Sequence, residues 1–352
     1  MRPARTIPTP FLRVDLERFD RNVRDCVERA TACGANLRPN VKTHGSIDLA
    51  RRQLHLGSRA LCCATIWQAQ KLLAIPEVQV LIANNVVVDR TNADEIVALA
   101  ESSRVVVSVG NLESLDRLVE LTTSRSVTLP IALEIDQSGA RTGLESADLV
   151  EAARMLDGRW LTLWGVMAYP ADGYTPGGAI DAAVQERRTL TLAHDLLQSL
   201  GYRDFAVSGG SSPTFVHACS SVINEYRPGT VALGDRQQVA LGAARLDDVA
   251  LSVVATVLES RQTHTVVDAG AKAMGRDFPS WVRGHGSTLA GSIVERLFDH
   301  HAVLEPLGLE VGARVELVPN NANSAVALHR QLWLDDASGS LTASPIMPAG
   351  PS

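Results

Sequence analysis

The chain has 352 residues, 45% hydrophobic and 20% charged, with a net charge of −6 from 33 basic and 39 acidic side chains. That is the composition of an ordinary globular protein with room for one large domain and a smaller one, and the lack of any basic block excludes a surface built for nucleic acid or anionic membrane. No apolar run reaches the roughly 18 residues that cross a bilayer, and five cysteines, Cys26, Cys33, Cys62, Cys63 and Cys219, fall in no paired spacing, so reduced thiols and a cytoplasmic location are expected.

Phe11–Val14 reads as a short strand before the first helical pattern, Leu16–Ala32. Strand-like runs then alternate with helical ones. The strands are Leu37–Val41, Ala60–Ala64, Val78–Ile82, Val105–Val109, Ile131–Ile135, Leu163–Ala168 and Phe205–Ser208. The helices are Ile47–Leu56, Ile66–Leu73, Ala93–Ser102, Leu112–Thr122, Ala147–Leu156 and Ala179–Leu200. Repeated β-then-α units predict a parallel sheet, and this number of units fits a closed (β/α)8 barrel better than an open sheet. After about residue 240 helices give way to Val253–Glu259, Thr263–Asp268, Gly291–Phe298, Arg314–Pro319 and Ala327–Trp333. The expected architecture is therefore α/β: a TIM-like barrel over 15–240, a C-terminal antiparallel β domain formed by 241–340 with residues 1–14, and a fraying tail at 341–352.

Two features point to chemistry. Lys42, within Arg-Pro-Asn-Val-Lys-Thr-His (38–44), stands at a strand-to-helix junction. Burial there lowers an ammonium pKa and frees the amine to attack an aldehyde, whereas at an open loop edge the same residue is merely solvated. The second feature is Ser208-Gly209-Gly210-Ser211-Ser212, directly after a strand. Paired glycines let backbone approach a ligand, and successive N–H groups with hydroxyls make an anion nest. A tight Gly/Ser turn is the plain alternative. No GxxxxGK[ST] pattern accompanies it, which argues against nucleoside triphosphate chemistry.

With further runs in order, the chain resembles the fold-type III pyridoxal-phosphate (PLP) enzymes. The likeness is to the D-threonine aldolase/D-serine dehydratase group of the alanine-racemase-like family. The runs are Thr9-Pro10, Arg38–His44, Ile82-Ala83-Asn84-Asn85, Glu134-Ile135-Asp136, Arg141-Thr142-Gly143, Ala168-Tyr169, Ser208–Ser212, Arg227-Pro228-Gly229, Val267–Gly270 and Pro319-Asn320. The resemblance implies a PLP-binding barrel with Lys42 as the cofactor-bearing lysine. It implies Arg141 beside the pyridine nitrogen, Tyr169 at the cofactor and Ser208, Gly209, Gly210, Ser211 and Ser212 around the phosphate. His44 is a further catalytic candidate beside Lys42. A small amino-acid substrate and a homodimer are implied as well.

One departure alters the chemistry. Where the group carries a histidine and, two residues on, a cysteine or aspartate that bind a divalent metal, this chain has Asn321 and Asn323. Neutral amides are poor ligands for zinc or manganese, and they hold a hard cation only with added carboxylates or phosphate. The usual metal is thus expected to be lost. The resulting expectation is a PLP-dependent lyase that cleaves D-configured β-hydroxy amino acids to glycine and an aldehyde. A metal-independent amino-acid racemase or epimerase, or a D-serine dehydratase-like ammonia-lyase, is the alternative. A two-base racemase of the Lys/Tyr kind is disfavoured because no tyrosine or cysteine follows residue 240.

Overall fold

The computed structural model describes residues 1–350 apart from Ser138, Ala140, Asp157 and Ala349. The chain divides into two compact units, one built mainly from Cys26–Lys42 and Gln53–Gly229, the other from Met1–Asp25, Thr43–Arg52 and Thr230–Met347.

In the first unit eight strands run parallel: Asn36–Leu37, Leu61–Cys63, Val80–Ile82, Val105–Val109, Leu129–Glu134, Leu161–Met167, Ala206–Gly209 and Glu225–Tyr226. Each pairs with its sequence neighbours, the eighth returns to the first, and a parallel bridge from Asn40 to Cys62 closes the ring. This is the expected (β/α)8 barrel. Its strands are runs of Val, Ile, Leu and Ala because a parallel sheet under helices is buried on both faces. The eighth strand was not read from the sequence, since Glu225–Tyr226 has only two residues and a charge. The first strand stops at Leu37, and Val41–Thr43 forms a 3-10 turn instead of extended chain.

Strand register shows which side chains fill the barrel. Residues paired across parallel neighbours share a face. Cys62 pairs with Leu81, Leu81 with Val106, Ser108 with Ala132, Glu134 with Met167, Met167 with Ser208, and Ser208 with Glu225. One arc of that face is apolar, with Cys62, Leu81, Val106, Ala132 and Met167 in a single cluster. The other is ionic. Arg38 Nε donates to Glu225 Oε2 at 2.7 Å, Ser208 Oγ donates to Glu225 Oε1 at 2.6 Å, and Arg227 Nη1 donates to Ser208 Oγ at 2.6 Å. The Arg38 guanidinium also lies 5.1 Å from the Trp164 ring centroid. Buried charges survive only when paired and hydrogen-bonded in this way.

The second unit holds a ten-stranded, mostly antiparallel sheet. Phe11–Asp15 pairs with Leu251–Ser260 and Gln331–Asp335, and Leu251–Ser260 pairs with Arg314–Pro319. Ile7, Phe11, Val254, Trp333 and Leu341 form one of its buried clusters. Two expectations are corrected here. The run from Ala327 is not a strand at its start: Ala322–Ala327 is a helix capped by Asn321, and the strand is Gln331–Asp335. The tail does not simply fray, because Ser340–Pro345 forms a strand on Gln331–Asp335, with Leu341 1% exposed and Ser344 fully buried. Ser, Thr, Ala and Pro around one leucine hid that strand from the periodicity argument. The remaining tail positions Ala349, Pro351 and Ser352 lie outside the described residues. Among the described residues, no helix is long and apolar enough to cross a membrane.

Candidate active site

The barrel rim at the C-terminal ends of the strands is where such folds carry chemistry. Continuing the inward alternation two residues past Met167, Ser208 and Glu225 reaches Tyr169, Gly210 and Arg227. Past the first strand the bridge at Asn40 fixes the turn that bears Lys42, whose backbone N–H donates to Asn40 Oδ1 at 3.1 Å.

Lys42 is exposed by its accessible surface, yet the barrel atoms around its amine desolvate it. Desolvation lowers its pKa, Cys62 raises it, and the guanidiniums of Arg141 and Arg227 lower it further. A group in an open cavity can touch water and still lack most of the hydration of bulk solvent. Complete burial pushes the thiol of Cys62, beside the amine, up to about 11.

The Arg141 guanidinium stacks over Tyr169 at 4.5 Å from the ring centroid, and Nη2 donates to Asn84 Oδ1 at 3.4 Å. Tyr169 in turn stacks on Tyr174 at 6.3 Å, and burial raises its phenol pKa. Glu134 is 1% exposed and accepts a hydrogen bond from Thr142 Oγ1 at 2.8 Å; burial raises its pKa. Asn85 serves the scaffold, with Oδ1 accepting from Gly110 N at 2.9 Å.

The Gly/Ser segment is more committed than an open nest. Ser208 belongs to the ionic network. Gly210, at φ +86, donates its N–H to Glu186 Oε1 at 2.7 Å, and a Cβ there would lie 2.8 Å from Tyr226 Cδ1. Ser211 N donates to Thr214 Oγ1 at 2.9 Å, the start of a capping box on the short helix Ser212–Phe215. The N–H of Gly229, in the loop after the adjacent eighth strand, donates to nothing among the described residues. The Ser211 hydroxyl lies 3.0 Å from Thr214 Oγ1, and Ser211, Ser212 and Gly229 come together from two neighbouring loops after adjacent strands.

His44 is fully buried, its Nδ1 accepts the Ser46 N–H at 3.0 Å, and its ring meets Phe19 edge-on at 6.2 Å. That Nδ1 lone pair is occupied, which fixes the segment after Lys42 and leaves only Nε2 for any proton transfer.

In the other unit, Asn321 Oδ1 accepts from Ser324 N at 3.2 Å and from Asn323 Nδ2 at 3.3 Å. Asn323 Oδ1 is buried without a partner. Asp235, 1% exposed, accepts from Gln238 N and Ala322 N, and burial pushes its carboxyl up to about 7. His300 and His301 are exposed, and His329 Nε2 lies 3.1 Å from Ala273 O. Among the described residues no three His, Cys, Asp or Glu side chains are grouped to hold a metal.

The sequence reading missed Arg38, Glu225, Glu186 and the full part played by Arg227. Glu225 is a charge on a barrel strand and Arg38 directly follows one, a placement that a local pattern argues against because buried charge needs a partner. Glu186 sits beside Arg187 and Arg188 in a long helix with several other charged side chains, so nothing in the sequence singled it out.

Residues 14–237 match the family model described as alanine racemase, N-terminal domain, and 250–334 match a putative serine dehydratase domain. D-threo-3-hydroxyaspartate dehydratase of Delftia sp. (strain HT23) is 28% identical over 281 residues, covering 77% of this chain and 74% of the relative. Its solved structure superposes with a TM-score of 0.90 at 25% identity, over 99% of this chain and 100% of that one. D-threonine aldolase of Arthrobacter sp is 27% identical over 346 residues, 93% of this chain and 89% of the relative. Alanine racemase of Clostridium difficile 630 shares the fold alone, with a TM-score of 0.72 at 13% identity over 96% and 98% of the two chains. The first model covers most of the chain, and the chain belongs to the alanine racemase N-terminal domain family, with a serine-dehydratase-type domain after it.

Proposed function

We propose that this protein is a PLP-dependent lyase that cleaves D-configured β-hydroxy amino acids to glycine and an aldehyde. The observation that carries the reading is Lys42, a solvent-reachable amine at the rim of a closed barrel, held below its ordinary pKa by desolvation and by the guanidiniums of Arg141 and Arg227. Lyases on D-amino acids among the relatives support it.

The residues present fit the cofactor. Lys42 would carry it, Ser211, Ser212 and Gly229 would hold its phosphate, and Tyr169 with Arg141 would flank its ring. When bound, the cofactor supplies a carbonyl for amine exchange and a ring that draws electrons from bonds at Cα. A lysine of lowered pKa is a better nucleophile at neutral pH. Once displaced by the substrate amine, Lys42 Nζ is a free base able to take or return a proton. Arg141 and Arg227 place permanent positive charge at the site, and a guanidinium next to the ring nitrogen keeps that nitrogen unprotonated. The raised phenol of Tyr169 remains a hydrogen-bond donor. His44 acts as a positioning residue for the segment that follows Lys42.

A divalent metal does not fit the residues at 321 and 323. One amide oxygen caps a helix and accepts from the other amide, the nearby Asp235 carboxylate is spent on two helix N–H groups, and among the described residues no three His, Cys, Asp or Glu side chains gather to hold a metal. Departure of hydroxide in a dehydration needs a Lewis acid far more than cleavage of the Cα–Cβ bond does, so aldol cleavage is the favoured outcome.

The test is incubation of PLP-loaded protein with D- and L-threonine and D- and L-phenylserine, with EDTA or added divalent metals. Aldehyde release from the D forms that survives EDTA supports the proposal. Ammonia with a 2-oxo acid indicates a dehydratase, and loss of optical activity without cleavage indicates a racemase. Lys42→Ala should abolish the visible cofactor band and lower kcat/KM by about a thousandfold or more.

A further inference from the structure

The helix Ala179–Ser199 presents one carboxylate to the barrel rim, and that carboxylate meets the loop expected to receive an anion. Glu186 is 2% exposed, and its Oε1 accepts the Gly210 N–H at 2.7 Å. The fit is tight, because a Cβ on Gly209 would lie 2.9 Å from the same oxygen and 3.3 Å from Leu190 Cδ1. Glycine at 209 thus makes room for the carboxylate, and glycine at 210 supplies the left-handed backbone that aims its N–H at it. Ser211 and Ser212, the hydroxyl donors of the proposed phosphate site, follow directly. A carboxylate is an odd choice beside a dianion, because like charges at close range repel strongly where water is scarce.

We propose that Glu186 is a positioning residue for the cofactor phosphate that works as a neutral carboxylic acid in the loaded protein, so that binding the phosphate takes up a proton. The proposal rests on the assignment of PLP to this site. As the acid, Glu186 still accepts the Gly210 N–H and holds the turn, but no longer repels the phosphate. As the carboxylate it holds the same turn and opposes the anion.

The charged surroundings are consistent with such a poise. Burial pushes Glu186 up to about 7, while the Gly210 N–H and the guanidiniums of Arg227 and Arg187 pull it down. Tyr169 and Tyr226 face it as neutral phenols, both held above their usual pKa partly by its charge. Of the groups on the other elements packed against the helix, Asp172 is exposed, Tyr174 stacks on Tyr169, and Glu151 and Arg154 pair with each other at 3.7 Å. None of these supplies the counter-charge that a buried carboxylate beside a phosphate would need. The sign follows from linkage: a ligand that raises the pKa of a group binds most tightly below the unliganded pKa and weakens as pH rises through it.

The test is the pH dependence of binding, with pyridoxine 5′-phosphate as the probe because it has no aldehyde and so leaves Lys42 uncondensed. Wild type and Glu186→Gln are compared, since glutamine keeps an oxygen for the Gly210 N–H. From pH 6.5 to 8.5 the dissociation constant of wild type should rise about tenfold more than that of Glu186→Gln, with titration of the probe's phosphate cancelling between them. Calorimetry in buffers of different ionisation enthalpy should show proton uptake by wild type that the variant lacks. Should the variant fail to fold, infrared difference spectra of wild type decide the matter: a carboxylic-acid C=O band must grow on binding. Equal pH profiles with equal proton uptake, or no such band, overturn the role of Glu186. Failure of wild type to bind either the probe or PLP at any pH removes instead the cofactor assignment on which that role rests.

Discussion

Lys42 is one of three lysines among 33 basic residues, and it alone lies on the barrel rim. Arginine holds its proton at every accessible pH, so the chain places permanent charge where it needs charge and keeps lysine where an amine must react. The same economy of type explains Asn321 and Asn323. An asparagine can cap a helix and bond to its neighbour, and it does both here, but it cannot supply the electron pair of a thiolate or imidazole. Replacing Asn321 by His and Asn323 by Cys together should therefore create what the chain lacks. We expect the double variant to gain about tenfold or more in turnover with added zinc or manganese and to lose that gain in EDTA, while wild type stays within about twofold under both conditions. Steady-state assays with D-phenylserine check this. A wild type that loses its activity in EDTA would contradict it.

At the scale of elements, the helix Arg236–Ala240 shows how a cap can carry a pH dependence. Asp235 accepts Gln238 N at 2.8 Å and Ala322 N at 2.9 Å, tying two helix starts together, yet burial pushes its carboxyl up to about 7 from 3.8. A carboxyl raised on folding stabilises the protein below its unfolded pKa, and that contribution is lost as pH rises through the folded value. Stability of the apo protein should then fall from about pH 5 to pH 8, by roughly 2–3 kcal/mol for this group. Asp235→Asn, which keeps an oxygen for the Gln238 N–H but loses the acceptor for the Ala322 N–H, should lower stability overall and flatten that decline in denaturant titrations. An unchanged slope would mean that Asp235 is charged throughout. Elements were also where the sequence was most and least legible. The barrel helices and the longer strands follow from apolar periodicity, because burying a face is what forms them. Glu225–Tyr226 was missed because it is two residues long and its partners Asn36–Leu37 and Ala206–Gly209 carry the signal, and Ser340–Pro345 because its Ser, Thr, Ala and Pro mask a hairpin with Gln331–Asp335. At the site, Lys42 and the Gly/Ser run could be read from residue type, whereas Glu186 and the ionic network depend on register, which no local window contains.

On the scale of the whole molecule, the chain joins a barrel whose interior is half apolar and half ionic to a β-rich unit of its own. The ionic arc from Arg38 through Glu225 and Ser208 to Arg227 ends at the rim that holds Lys42, so the charges that tune the amine are anchored deep in the fold. The central claim is that this amine carries an aldehyde cofactor. Borohydride reduction of the PLP-loaded protein, followed by proteolysis and mass spectrometry of the peptides, tests it directly because only Lys42, Lys71 and Lys272 are available to be labelled. The account predicts a single phosphopyridoxyl label on the peptide containing Lys42. A label on Lys71 or Lys272 with Lys42 unmodified, or no label at all, would contradict it.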